Sequence, residues 1–282
     1  MSHEIDRILD AVRAAQSGIL ATLVRTSGST YRRAGARAVI TQEGATCGLV
    51  SGGCIERDLR ERMAEWMHDF TPRVITYDST TDADLVFGSG LGCRGTLELF
   101  IEPFDAARQP GIAAFQWNGN EPVVWTTRFE DRELLVEVIH PPRTIAVFGN
   151  GADVEPVIAI AERLGFRVAR AFQPAPDAAL VMTHNFLKDA ELLEALLPTN
   201  IPYVGVLGPK KRGADLVAHL SPEARAHAGR LRSPMGLDLG GETPEEIALS
   251  ILAEVQTVLN ARDGGALQDR DAPIHQPEQS WV

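Results

Sequence analysis

Apolar residues recur along the chain at two spacings, one typical of helices and one typical of strands. Near the start, Ile5, Ile8, Leu9 and Val12 follow the helical spacing and predict an amphipathic N-terminal helix. Short runs rich in β-branched residues then alternate with turn formers, as they do in the strands of a sheet. We predict strands over residues 19–26, 36–41, 47–50, 73–77 and 97–102, and a hairpin formed by residues 123–129 and 134–139.

The pattern changes after His140-Pro-Pro-Arg143, where two prolines restrict the backbone. From there short apolar strands alternate with helices, and this alternation favours a parallel, doubly wound sheet. The last helix is expected to begin after Thr243, since Thr243-Pro-Glu-Glu246 combines a capping box with a proline at the first helical position. We predict strands over residues 144–148, 167–172, 179–183 and 203–207, and helices over residues 154–164 and around 191–197.

These patterns predict an α/β protein in which an N-terminal mixed α+β sheet domain is followed by a Rossmann-like parallel α/β domain. A chain of 282 residues is long enough for two domains of ordinary size. We draw the domains at residues 1–140 and 141–262. Residues 263–282 lose hydrophobic periodicity and gain turn formers, so we expect a flexible tail there.

Composition and charge narrow the classes of function. With 44% hydrophobic and 23% charged residues, the chain has the balance of a soluble globular protein. A net charge of −11 argues against nucleic acid as a partner, although local arginines can still bind a small anion. Three cysteines without a Cys-x-x-Cys pair favour neither a disulfide framework nor a zinc site, and we predict no metal ligands. A polar N-terminus, cysteines suited to a reducing compartment and the lack of a long apolar run predict a cytoplasmic protein without a membrane span.

The segment Gly48-Leu-Val-Ser-Gly-Gly-Cys-Ile-Glu56 carries the clearest chemical signal in the first domain. Its apolar run breaks at Ser51, Gly52 and Gly53 and places Cys54 at the first turn of a helix predicted from residue 55 to about residue 70. Because a helix start binds anions and favours a thiolate, Cys54 is a candidate thiolate beside an anion site. The alternative is a structural cysteine behind a tight strand-to-helix turn. Glu56 is expected to cap the helix rather than to accept a proton.

A glycine-rich loop and a group of arginines form two further candidate features of this domain. The segment Gly88-Ser-Gly-Leu-Gly-Cys93-Arg-Gly95 has more glycines than one turn needs, which favours a close ligand, with tight sheet packing as the alternative. Cys47 is expected to lie in the core. The arginine group either forms a solvated face or binds an anion, and it consists of Arg25, Arg32, Arg33 and Arg37.

In the second domain, Gly149-Asn-Gly151-Ala-Asp-Val154 forms part of a dinucleotide-binding pattern, with Val154 in place of the third glycine. The strand that follows ends without the carboxylate that would hold a ribose, and Arg170 offers a positive charge instead. His184 follows a strand and is expected at the ligand crevice, as a structural or a functional group. Lys210, Lys211 and Arg212 begin a helix at the same edge, where they either neutralise phosphate or form a solvated turn.

Several motifs in order resemble the XdhC/CoxI family of molybdenum-cofactor maturation factors for xanthine dehydrogenase-type enzymes. Ser51-Gly-Gly-Cys-Ile-Glu56 is the closest match, and further matches cover residues 25–37, 84–95, 147–154, 181–184, 207–212 and 234–247. The resemblance extends from about residue 5 to residue 260. One departure is Phe172, which stands where the family usually has an aspartate.

The resemblance implies a chaperone that binds the molybdenum cofactor, as molybdopterin or its nucleotide form. Such a protein protects the cofactor while a cysteine desulfurase supplies its terminal sulfur, and then transfers it to a xanthine dehydrogenase-type client. The resemblance also implies a homodimer, and it places Cys54 and Cys93 in one functional region, on the sulfur side of the cofactor. The cofactor-binding residues implied are Ser51, Gly52, Gly53, Cys54, Cys93, Gly149, Gly151 and His184.

Two other functions remain open from the residues alone. One is an NAD(P)-dependent oxidoreductase with a degenerate Rossmann domain, although the incomplete glycine pattern and the missing ribose carboxylate disfavour it. The other is a thiol enzyme with Cys54 as nucleophile, which lacks an obvious histidine and acid in sequence and would need His184 from the second domain.

Overall fold

The computed structural model describes residues 2–78, 95–118, 120–170 and 176–271. The chain divides into two compact units, Met1–Pro141 and Pro142–Val282. The predicted fold class is confirmed, since an antiparallel sheet forms the first unit and a parallel sheet covered by helices forms the second. None of the described helices is long and apolar enough to cross a membrane.

The first unit is built on a five-stranded antiparallel sheet. Its strands are β1 (Ser17–Gly28), β2 (Arg37–Thr41), β3 (Thr46–Gly48), β4 (Arg73–Asp78) and β5 (Gly95–Asp105), in the spatial order β3-β2-β1-β5-β4. Helix α1 (Ser2–Ala14) contacts β2 and β3, and helix α2 (Cys54–Asp69) contacts β1, β2 and β5.

Both faces of the central strand β1 are buried, because each helix covers one of them. Ile19, Ala21 and Leu23 belong to the core beneath α2, whereas Leu20 belongs to the core beneath α1. This explains why β1 is apolar at successive positions, a pattern typical of a strand covered on both sides. A short 3₁₀ helix (Gly111–Ala114) and a hairpin of β6 (Val123–Phe129) and β7 (Arg132–Ile139) complete the unit.

The second unit contains a parallel sheet with helices on both faces. Its strands are β8 (Thr144–Phe148), β9 (Arg167–Ala169), β10 (Ala178–Val181), β11 (Tyr203–Val206) and β12 (Leu231–Arg232). They lie in the order β12-β11-β10-β8-β9. The chain therefore adds β9 on one side of β8 and then crosses back to add β10 on the other side. The resulting switch point between β8 and β10 is where ligands bind in sheets of this kind.

Helices α3 (Val154–Arg163) and α7 (Pro244–Leu259) cover one face of this sheet. Helices α4 (Phe186–Leu196), α5 (Lys210–His219) and α6 (Pro222–Ala226) cover the other face. The predicted capping box at the start of α7 is confirmed: the Thr243 hydroxyl accepts from the Glu246 N–H at 3.3 Å, and the Glu246 carboxylate accepts from the Thr243 N–H at 2.9 Å.

The predicted elements are present, and several of their boundaries are shifted; strand β9, for example, is Arg167–Ala169 against a predicted 167–172. Strand β3 ends at Gly48 rather than at residue 50, since Gly48 has φ +77° and turns the chain out of the sheet. Helix α4 begins at Phe186, five residues before the predicted start, because the Asn185 side chain caps it by accepting from the Lys188 N–H at 3.1 Å. In the predicted tail, Leu267–Asp269 form a short 3₁₀ helix, and residues 272–282 lie outside the described part.

Candidate functional site

The carboxylate of Glu56 organises the loop between β3 and α2. Its Oε1 accepts from the backbone N–H of Val50 at 2.7 Å and of Ser51 at 2.8 Å. Its Oε2 accepts from the Gly53 N–H at 3.1 Å and from the Ser51 hydroxyl at 2.5 Å. The predicted capping role of Glu56 is therefore confirmed, and it extends beyond the helix start to the whole loop.

The hydrogen bonds around Glu56 also decide its charge. Burial would raise the pKa of this carboxyl, since the side chain is only 3% exposed. The donors of Ser51 and the backbone N–H groups outweigh burial and hold the pKa of Glu56 below its usual value. An ionised carboxylate therefore lies beside the helix start and offsets part of the positive potential there.

The Ser51 side chain forms the second layer of this arrangement. Its Oγ accepts from the backbone N–H of Gly53 at 3.1 Å and of Ile55 at 3.2 Å. The same Oγ lies 4.0 Å from the Cys54 Sγ. Ser51 is buried while Cys54 is half-buried, so the serine fixes the loop and the thiol lies nearer its surface.

Of the two adjacent glycines, the described fold requires only Gly53. Gly53 caps α2 with φ +114°, a conformation that residues with a side chain rarely adopt. Gly52 has no such φ, and a Cβ built on it would meet no atom within 4 Å. Nothing within the described structure therefore requires a glycine at position 52, whereas a group approaching the loop from outside would.

Two backbone donors of the loop remain free. The N–H groups of Val50, Ser51, Gly53 and Ile55 are all used by Glu56 and Ser51. Within the described structure, the N–H groups of Gly52 and Cys54 donate to no acceptor. Free N–H groups at the start of a helix are suited to an anion.

Of the other two cysteines, the structure describes Cys47 but not Cys93. Cys47 is half-buried in β3, where its Sγ lies 3.6 Å from the Arg7 carbonyl oxygen and packs against the core beneath α1. Cys93 and most of its glycine-rich loop lie outside the described residues, as does Phe172. The predicted meeting of Cys54 and Cys93 therefore stays a prediction.

Of the two alternatives for the arginine group, a solvated face or an anion site, the structure disfavours the anion site, since three of the four arginines are paired with carboxylates. Arg25 contacts Glu98 at 3.3 Å. Arg32 makes a bidentate pair with Glu4 at 2.6 and 2.8 Å. Arg37 is buried and pairs with Glu137 of β7. These arginines hold the sheet, helix α1 and the hairpin together, and they do not form a free basic patch.

In the second unit, the structure brings Gly149, Gly151 and His184 to the carboxyl edge of the sheet. Gly149 has φ +149°, and a Cβ there would lie 2.3 Å from the Met182 carbonyl oxygen. A Cβ on Gly151 would lie 3.6 Å from the His184 ring, so the two residues are neighbours. His184 follows β10 with φ +56° and is exposed.

A carboxylate that sequence reasoning missed lies in this glycine loop. Asp153 precedes α3, and its Oδ2 lies 2.9 Å from His184 Nε2. A negative charge at this helix start repels the pyrophosphate that a dinucleotide would place there. The pairing could not be read from the sequence, because the two residues are 31 positions apart.

The basic group at the start of α5 has divided roles. Arg212 turns inward and contacts the buried Asp189 at 2.9 Å, while Lys210 and Lys211 are exposed. Asp189 also accepts from the Thr183 hydroxyl at 2.5 Å. Arg212 is therefore structural, whereas for the two lysines both predicted alternatives, a phosphate contact and a solvated turn, stay predictions.

Two sequence profiles match the chain in its two units. Residues 11–78 match the profile described as the XdhC and CoxI family, and residues 145–255 match the profile described as the XdhC Rossmann domain. The chain belongs to the XdhC/CoxI family.

Relatives of this XdhC/CoxI protein match most of its length rather than one motif. It is 26% identical to a Bacillus subtilis protein named as a probable xanthine dehydrogenase subunit, over 88% of this chain and 95% of that relative. It is 24% identical to the molybdenum cofactor insertion chaperone PaoD of Escherichia coli, over 89% of this chain and 86% of PaoD. A crystal structure titled as a xanthine dehydrogenase from Bacillus halodurans has a TM-score of 0.76 and 26% identity, covering 95% of this chain and 98% of that one.

Proposed function

We propose that this XdhC/CoxI protein is a maturation factor for molybdoenzymes, which binds the molybdenum cofactor as cargo. The observation that carries the proposal is the loop between β3 and α2, where two free N–H groups, an unobstructed glycine and a half-buried thiol are held by Glu56. The similarity to PaoD, whose name describes insertion of this cofactor, supports the same role.

The loop suits an anionic, oxygen-sensitive cargo that carries a metal. The N–H groups of Gly52 and Cys54 can donate to an anionic group, and a soft thiolate is a good ligand for a thiophilic metal or for sulfur. The described residues contain no cluster of three or more potential metal ligands.

The finer steps of the proposal rest on the family. The cofactor, as molybdopterin or its nucleotide form, is held while a cysteine desulfurase supplies its terminal sulfur. It then passes to a xanthine dehydrogenase-type client, and the protein acts in the cytoplasm as a homodimer. Cys54 serves as the contact for molybdenum or sulfur, and Gly149, Gly151 and His184 of the second unit serve as further cofactor contacts.

Gly52→Ala gives the sharpest test of the loop. Its added methyl group meets nothing in the fold, so the melting temperature should stay within about 1 °C of wild type. Under anaerobic conditions the same variant should bind the purified cofactor at least about 10-fold more weakly, because the methyl group occupies the space that the cargo needs. Cys54→Ala should also weaken binding, whereas the matched Cys47→Ala should not.

Three outcomes would contradict this assignment. The first is that wild-type protein binds no cofactor under anaerobic conditions. The second is that Gly52→Ala and Cys54→Ala both bind with wild-type affinity, which would move the cargo away from the loop. The third is that Cys47→Ala weakens binding as much as Cys54→Ala does.

A further inference from the structure

The hairpin of β6 and β7 packs one of its faces on the first unit. Trp125 and Ile139 lie on this inner face, in the core beneath α1, and the Trp125 ring meets the Phe115 ring edge-on at 5.7 Å between centroids. Glu137 of the same face pairs with Arg37 of the sheet. Because successive side chains of a strand point to opposite faces, the alternate positions of the hairpin point outward.

The outward face carries valines where solvent favours polar residues. Val124 is 66% exposed and Val136 is 52% exposed. In the register of the hairpin, Val124 lies opposite Val138. Thr126 lies opposite Val136, so the four side chains are neighbours. A solvated face of an antiparallel pair is usually polar, and a cluster of uncharged side chains on it therefore indicates a surface that another protein covers.

Two opposite charges lie at the end of this face nearest the turn. Arg128 of β6 contacts Glu133 of β7 at 2.5 Å, and both side chains are more than half exposed. The two strands therefore carry opposite charges at the same level of the hairpin, and both charges are accessible to a partner.

These features favour a second copy of this chain as the partner. Stacked sheets keep their strands within about 30° of each other, and a two-fold axis along the strands would place β6 of each copy over β7 of the other. That stacking brings Val124 to the second copy's Val138. It also brings Arg128 to the second copy's Glu133, and symmetry repeats this contact. Since a net charge of −11 makes two copies repel each other, an uncharged face with balanced charges at its rim is suited to their contact.

We propose that the outward face of the hairpin is a homodimer interface, with Val124 and Val136 at its centre and Arg128 paired across it. The inference rests on the homodimer named in the proposed function and gives that homodimer a surface. Four side chains and a turn are far fewer than the roughly 20–30 residues per side of a standard interface. We therefore expect a dissociation constant of about 1–100 µM, in the range of a reversible dimer.

Sedimentation velocity of the full chain over about 1–300 µM measures this equilibrium. Val124→Glu and Val136→Glu should each weaken the dimer at least about 10-fold, because each places an unpaired carboxylate in the apolar contact. Both positions are exposed in one chain, so the melting temperature should change little. The matched control is Val74→Glu, which changes an exposed valine on the edge strand β4 and should dimerise like wild type.

The charge pair gives a second test, which separates a contact between copies from the contact within one hairpin. Arg128→Glu and Glu133→Arg each place like charges opposite each other, both within a hairpin and across the interface. Mixing the two variants restores opposite charges across the interface and leaves like charges within each hairpin. The mixture should therefore dimerise about 5-fold or more tightly than either variant alone.

The proposal is overturned if the wild-type protein stays monomeric over the whole range, which would assign the face to another protein. It is also overturned if both valine variants dimerise like wild type, if Val74→Glu weakens the dimer as much as they do, or if the mixture associates no better than its components. Cofactor binding is measured separately. A monomer that binds the cofactor keeps the proposed cargo role and loses this interface, whereas a dimer that binds none keeps the interface and loses the cargo role.

Discussion

Replacing Glu56 tests the role that its carboxylate has in holding the cysteine loop. Glu56→Ala removes the acceptor for three backbone N–H groups and one hydroxyl, and two of those N–H groups belong to the buried residues Val50 and Ser51. A buried donor left without a partner costs about 1–3 kcal/mol, and loss of a helix cap costs about 1 kcal/mol. We therefore expect the free energy of unfolding of the first unit to fall by about 3–5 kcal/mol, or roughly 10 °C in melting temperature.

Tryptophan fluorescence during urea unfolding measures this loss selectively. Trp66, Trp117 and Trp125 lie in the first unit, and Trp281 near the C-terminus is the fourth tryptophan of the chain. The matched control is Glu61→Ala on the same helix, an exposed position where the change should stay within about 0.5 kcal/mol. A loss below about 1 kcal/mol for Glu56→Ala, or a loss equal to the control, would refute the reasoning.

The pH dependence gives an independent check on the same carboxylate. Because the folded state lowers the pKa of Glu56, its stabilising contribution is present above the unfolded value of about 4.3 and is lost as the pH falls through the folded value. Glu56→Gln should therefore be clearly less stable than wild type at pH 7. That difference should shrink below about pH 4, and a difference independent of pH would contradict the assignment.

Three further predictions concern other parts of the fold. Burial raises the pKa of Glu102, so ionisation of this carboxyl at pH 7 opposes folding. Glu102→Gln should therefore raise the free energy of unfolding at pH 7 by roughly 0.5–2 kcal/mol, measured in urea, and the gain should vanish below about pH 4. Arg37→Met should cost about 3–5 kcal/mol by leaving the Glu137 carboxylate without its partner, and adding Glu137→Leu should recover most of that loss in a double-mutant cycle. Gly149→Ala should lower the free energy of unfolding of the second unit by about 3 kcal/mol or more, measured by circular dichroism, since its Cβ would lie 2.3 Å from the Met182 carbonyl oxygen.

The features that could be predicted from the sequence depend on neighbours in the chain. The start of α2 at Cys54, its capping by Glu56 and the capping box at Thr243 all involve residues a few positions apart. The parallel sheet of the second unit also follows from local periodicity, because strands that alternate with helices are joined by the crossover connections that parallel pairing needs.

The ion pairs could not be predicted, because they depend on how distant segments align. Arg25 meets Glu98 across 73 positions, and Arg37 meets Glu137 across 100. From the sequence alone, the arginine group is therefore compatible with either a solvated face or an anion site, because only the folded structure supplies its carboxylate partners.

The most direct test of the central claim is whether the bound cofactor shields Cys54. Alkylation by iodoacetamide under anaerobic conditions, followed by peptide mass spectrometry, measures the rate at each cysteine with and without the purified cofactor. Cofactor at the loop should slow alkylation of Cys54 about 10-fold or more and leave the rate at Cys47 unchanged, which makes Cys47 an internal control. An equal rate at Cys54 in the two samples, with the cofactor shown to be bound, would contradict the account.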